Sequence, residues 1–358
     1  METSAVDWSM KGRAPGLIDW RSASQVGRSV AGAGPSSDAE SRSLFREEMS
    51  AAVATAEVLV SEFTGLSVRG PSSRAWVMGR GDWIDANFRS IERSIEPMLV
   101  RTITAEKGSV PGGLRTTALG AQIGGLFGYV SRKVLGQFDP FLPPDDEGLI
   151  YFVGPNILEI ERRFALVPHD FRLWLALHEI THRIQFSEAD WLRGHVLTML
   201  DSYIQMTDLD PVRIIENLRQ VAQDVRGSSQ WRTIGVMYAL MTPAQREHFH
   251  RMQATMSLVE GHASFVMNKV AGGRIATADR MKVALAQRRS IGGIEKAFQQ
   301  AIGFDHKIKQ YGTGEAFVAH VVESAGMETL NRAWLSPANL PTPDEMSEPD
   351  RWLARVIR

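Results

Sequence analysis

Apolar residues recur at helical spacing along most of the chain, and this periodicity predicts a mainly α-helical protein. Asp19 is placed to cap a short helix over 20–31, which Gly32-Ala33-Gly34-Pro35 would end. A longer pattern over 42–64 stops at Gly65. The run over 82–104 alternates at helical spacing but contains Pro97, which breaks or kinks a helix. Further helices are predicted at 157–166, 170–187, 189–205, 210–225, 243–271, 278–287, 292–302, 313–325 and 327–333. The clearest strand is Leu149 to Val153, a short apolar run closed by Gly154-Pro155-Asn156. Residues 1–40 read as a tail with one short helix, and 41–358 as a single domain.

Composition narrows the chemistry. With 44% hydrophobic and 23% charged residues, the chain has the profile of a soluble globular protein. The net charge of −1, with Lys and Arg dispersed, argues against nucleic acid as a partner. The N-terminus lacks a basic start followed by an apolar run, so a cytoplasmic location is expected. No membrane span is expected either. The most apolar stretch, ALGAQIGGLFGYV, is interrupted by Gln122 and is too short to cross a bilayer. Its glycines, Gly120, Gly124, Gly125 and Gly128, suit close approach to a neighbouring helix. There is no cysteine, so a metal here must be held by His, Asp or Glu.

One stretch carries such residues at a metal-binding spacing. His178-Glu179-Ile180-Thr181-His182 matches H-E-x-x-H within LALHEITHRIQF. On a helix turning about 100° per residue, positions 178 and 182 lie about 40° apart, one turn from each other. Both imidazoles then reach one Zn2+. Glu179 lies further round, too far to ligate easily but near enough to take a proton from metal-activated water. Asp170 is expected to cap this helix, and Leu173, Leu177, Ile180 and Ile184 give it an apolar stripe.

A catalytic zinc site needs a third protein ligand. Glu188 stands ten residues after His178, but Gln185 occupies the position where a tight turn would need glycine. Glu260, on a second long helix in SLVEGHASFVMN, is the stronger choice. His262 lies about 200° around a regular helix from Glu260, so the two cannot bind one ion, and His262 reads as a packing or supporting residue. Gly261 costs a mid-helix position about 1 kcal/mol, which implies a close neighbour there, with the H-E-x-x-H helix as the expected one.

HEITHRIQF, EGHASFVMN and KIKQYGTGEAFV, in that order, resemble the bacterial, largely actinobacterial, zincin-like metallopeptidase type 2 family, whose members are often labelled as associated with deazaflavin-coenzyme biosynthesis. The resemblance extends to IDWRSA, DWIDANFRSI, LGAQIGGLFGYVSRKVLGQFDPFLP and YFVGPNILEIERRF. It implies a mainly α zincin-like fold with a small β element near the active-site helix. It also implies His178, His182 and Glu260 as Zn2+ ligands, Glu179 as base, and a peptide or protein as substrate. The chain departs from the pattern at Gly312-Thr313, where bulkier polar residues are expected.

A tetrahedral oxyanion needs a donor opposite the base. Tyr311 is the catalytic candidate for that role, with His262, Arg193 and His195 behind it. His248 and His250, two apart on a helix, read as surface residues. Leu149–Val153 is a candidate edge strand for an extended substrate. Two other readings compete with a zinc peptidase. One is a catalytically silent scaffold binding metal and a partner or small molecule. The other is a packed helix without metal, in which the three side chains would stand more than about 6 Å apart, well beyond zinc bonding distance.

Overall fold

The computed structural model describes residues 16–35, 38–107, 113–142, 148–207, 241–290 and 314–357. The described chain is mainly helical, with one three-stranded sheet. Helix α1 (Trp20–Ala31) begins at Asp19, whose carboxylate accepts the Ser22 N–H. Helix α2 (Ala39–Thr64) stops where Gly65 turns left-handed, at φ 72°. Strand β1 (Arg74–Met78) leads into α3 (Arg80–Ser94) and α4 (Glu96–Lys107), so the break falls just ahead of Pro97. Helix α5 (Leu114–Ser131), β2 (Gly136–Phe138), β3 (Leu149–Val153), α6 (Gly154–Arg163), α7 (Pro168–Glu188) and α8 (Asp190–Met206) follow.

The second half contains α9 (Pro243–Arg274), α10 (Ala278–Ser290), α11 (Gly314–Asn331), α12 (Pro343–Ser347) and α13 (Pro349–Val356). Helix α9 starts with a capping box: Thr242 and Gln245 satisfy each other's backbone N–H, and Pro243 fills the first turn. The patterns at 313–325 and 327–333 meet in one helix kinked at Gly326, followed by a 3-10 turn over Arg332–Trp334. The expected helices at 210–225 and 292–302 lie outside the described residues.

The sheet order is β1-β3-β2, with β1 parallel and β2 antiparallel to β3. Strand β3 is therefore central and buried, which corrects its reading as an edge strand. The edge beside α7 belongs to β2. Leu149 and Val153 delimit β3 as the sequence predicts.

Among the described residues, two apolar clusters form the interior. The larger joins α2, α7, α9 and α11 around residues such as Met49, Phe171, Leu177, Leu258 and Phe317. The smaller joins α1, α3 and the sheet around Trp20, Trp83, Ile84 and Tyr151, with Ile123 and Phe127 of α5 packed against it. Close helix crossings rest on glycine. A Cβ on Gly120 or Gly124 would fall on the Asp19 or Ala23 carbonyl of α1, and one on Gly128 would lie 2.6 Å from the Gly27 carbonyl. A Cβ on Gly261 would fall on the Gly314 backbone, and one on Gly314 on the Ser257 carbonyl. The close neighbour of Gly261 is thus the start of α11 and not the H-E-x-x-H helix.

Candidate metal centre

Helix α7 has the composition of a buried helix: Phe171 through Leu177 are buried without a gap, as are Ile180 and Ile184. Its start differs from the expected one. Val167 is the N-cap and Pro168 takes the first turn, while Asp170 sits inside that turn and accepts the Thr277 hydroxyl at 2.6 Å. Proline there loses only an N–H that has no helical partner anyway.

On this helix His178 and His182 are one turn apart, with their Nε2 atoms 3.2 Å from each other. Glu260 arrives from α9. Its Oε2 lies 3.7 Å from His178 Nε2 and 3.6 Å from His182 Nε2. One potential ligand atom from each residue falls within 4.8 Å of the others. The wide separation expected of a purely packed helix is absent. Glu188 is elsewhere, paired with Arg69 at 2.5 Å.

The charge balance at this cluster is that of a cation site. Desolvation disfavours charge on His182, but the Glu260 carboxylate, with help from Glu179 and Gln185, outweighs it and lifts the imidazole to about 9. Desolvation also opposes charge on Glu260. The His182 and His178 rings nevertheless hold it well below the usual carboxylate range. The same field would favour a metal cation among these three groups.

Glu179, beside the two imidazoles, also reaches β2. It is buried, and its Oε2 accepts the Phe138 N–H at 2.8 Å. Burial pushes its carboxyl up, and the two imidazoles and the Phe138 N–H only partly offset this. Gly136 makes the approach possible, since a Cβ there would stand 2.8 Å from Glu179 Oε1. The Phe138 ring meets Phe186 of α7 at 5.6 Å between centroids.

Behind His182 stands a residue that the sequence reading does not single out for the site. Gln185 is fully buried; its Oε1 lies 3.0 Å from His182 Nδ1 and its Nε2 2.8 Å from the Val259 carbonyl. The same Nε2 is 2.9 Å from His262 Nδ1. A polar residue three positions after His182, on the same helix and flanked by Ile184 and Phe186, is the signal that could have found it. His262 is fully buried, its ring 5.3 Å from Trp334, and burial together with nearby His182 drives it down to about 3. It is a neutral supporting histidine, as its helical phase indicates.

The remaining candidates fall elsewhere. Tyr311 and the neighbouring Gly312-Thr313 lie outside the described residues. Arg193 bonds the Leu142 carbonyl at 2.8 Å, and His195 packs edge-on to Trp191. His248 is not a plain surface residue, because its Nε2 reaches the Met199 carbonyl at 2.7 Å and ties α9 to α8. Among the described residues no helix is long and apolar enough to cross a membrane.

Two known references resemble the chain as a whole, a family model and a solved structure. A family model described as zincin-like metallopeptidase matches residues 18–353. The chain is also similar to a Chloroflexus aurantiacus protein whose crystal structure is described as a candidate hydrolase with a novel fold. The two are 32% identical, with a TM-score of 0.70 over 95% of this chain and 99% of that one. No protein of curated function matches.

Proposed function

The chain belongs to the zincin-like metallopeptidase family, and on that premise we propose that it is a zinc-dependent peptidase. His178 Nε2, His182 Nε2 and a Glu260 carboxylate oxygen would hold the ion. A tetrahedral zinc with bonds of about 2.1 Å keeps its ligand atoms about 3.4 Å apart. The three separations here, 3.2, 3.6 and 3.7 Å, suit that requirement. The donor set, two imidazoles and one carboxylate, is that of a catalytic zinc site with a position left for water or substrate. This convergence of atoms from two distant helices is the observation that carries the reading.

Bound zinc supplies an acidified water and an electrophilic pull on a carbonyl. The chain's own residues do the rest. Glu179 is fixed at Oε2 by the Phe138 N–H, which leaves Oε1 to receive the proton of the attacking water and return it to the leaving amine. Its raised affinity for a proton suits both halves of that task. The Phe138 N–H reaches α7 and not β3, so the edge of β2 lies along the reacting groups. An extended peptide laid beside that edge would present its backbone to Glu179.

A peptide-library digest comparing wild type with Glu179→Gln tests the activity. Cleavage that is lost in the variant supports a peptidase. Identical profiles would favour the alternative, a catalytically silent scaffold that binds metal and a partner or small molecule.

A further inference from the structure

We infer that Gln185 is a positioning residue that fixes both the tautomer of His182 and its spacing from Glu260, with His262 acting through it. This inference rests on the zinc reading above. It follows from a chain of hydrogen-bond constraints with one solution. The Val259 carbonyl can only accept, so the Gln185 atom 2.8 Å from it must be the amide nitrogen. Gln185 Oε1 then faces His182 Nδ1 at 3.0 Å, and that nitrogen must carry the hydrogen. His182 Nε2 is left to present its lone pair on the side where His178 and Glu260 converge. His262 closes the arrangement: its Nδ1, 2.9 Å away, accepts the second amide hydrogen, so the amide cannot turn over without losing both bonds.

The same contacts set a distance. Val259 immediately precedes Glu260, and Gln185 lies one helical turn after His182. One buried amide therefore pins the backbone of the helix bearing Glu260 to the helix bearing the two histidines. His182 has this anchor and His178 does not, because His178 Nδ1 is buried with no hydrogen-bond partner among the described residues. The two imidazoles thus differ in preorganisation, with His182 held and His178 left to follow. A hydrogen-bonded partner on the far nitrogen of a ligating imidazole typically changes metal affinity by about 10–100-fold.

The test uses full-length protein as wild type, Gln185→Met, His262→Leu and His262→Asn. Methionine keeps the length of glutamine without its polar atoms, and asparagine in place of His262 would retain an acceptor near the position of Nδ1. Zinc affinity is measured by competition with a chromophoric chelator, with circular dichroism confirming the fold. The expected result is a loss of about 10–100-fold in Gln185→Met, a smaller loss in His262→Leu, and recovery toward wild type in His262→Asn. A folded Gln185→Met with wild-type affinity, or His262→Asn no better than His262→Leu, would overturn the inference. If Gln185→Met does not fold, the two His262 variants decide alone. The hydrogen-bonded Nδ1 proton of His182 is followed in parallel by NMR of metal-free protein with labelled histidine. Its signal should be slow to exchange with water in wild type and exposed to exchange in Gln185→Met. Wild type that binds no zinc defeats the metal reading, and the NMR signal then still decides whether Gln185 holds His182.

Discussion

The two faces of α7 are built in different ways. On the ligand face, His182 and Glu260 are brought together by side chains and by helix packing, with Gln185 bridging α7 and α9. On the base face, Glu179 is held by backbone: one N–H from Phe138 and the missing side chain of Gly136. The difference teaches where each function is vulnerable. The ligand face depends on which side chains are present, and the base face on how closely a three-residue strand can approach.

Substitutions should separate the faces. The largest effect is expected for His182→Ala, which removes one of the three proposed ligands; both zinc content and peptide hydrolysis should fall to background by metal analysis and peptide assay. Glu179→Gln should retain zinc while losing about 10²–10⁴-fold in kcat, the usual range for a positioned acid–base group. Full activity in that variant would remove Glu179 from the chemistry.

Gly136→Ala probes the base face from the strand side. Its new methyl must displace the Glu179 carboxylate, since the contact would be 2.8 Å. Displacement of a reacting group by about 1 Å can cost about 10²-fold in rate, and zinc affinity should stay near wild type. Loss of zinc with retained turnover would contradict the separation of faces.

Two pH effects are smaller. Catalysis needs ionised Glu179, so kcat/KM should fall at acid pH as that carboxylate takes up a proton. In metal-free protein His182 is lifted to about 9 from a usual 6.5. Its stabilising protonation is complete below the unfolded value and lost as pH rises through the folded one, so the melting temperature should decline between those limits. Glu260→Gln should flatten the decline, because desolvation alone would push His182 down and Glu260 is the main group that lifts it.

Much of this is legible in the sequence, and the limits have physical causes. Local signals serve well where the chain decides locally. Asp19 caps α1, Gly65 ends α2, and Gly120, Gly124 and Gly128 of α5 do meet a neighbouring helix, whereas a Cβ on Gly125 would face open space. Helical phase alone separates His178 and His182 from Glu179, and Glu260 from His262. Of the sheet, only β3 is visible in the sequence. Strand β1 alternates weakly, and β2 is three residues beginning with glycine; both are strands because β3 pairs with them, which is a tertiary effect. Without those partners in view, β3 reads as the edge, a place that belongs to β1 and β2. Gln185 reads in sequence only as the absence of a turn glycine, although its neighbours across the helix interface define what it does. Gly261 does mark a close approach, but only the fold says that α11 makes it.

Zinc stoichiometry in three proteins bears most directly on the central claim that the two faces carry separate functions. Wild type and Glu179→Gln, purified without chelator and reconstituted with zinc, should each hold one zinc per chain, and His182→Ala should hold none. Stoichiometric zinc in His182→Ala, or its loss from Glu179→Gln, would contradict the assignment of His178, His182 and Glu260 as the ligands and Glu179 as the base.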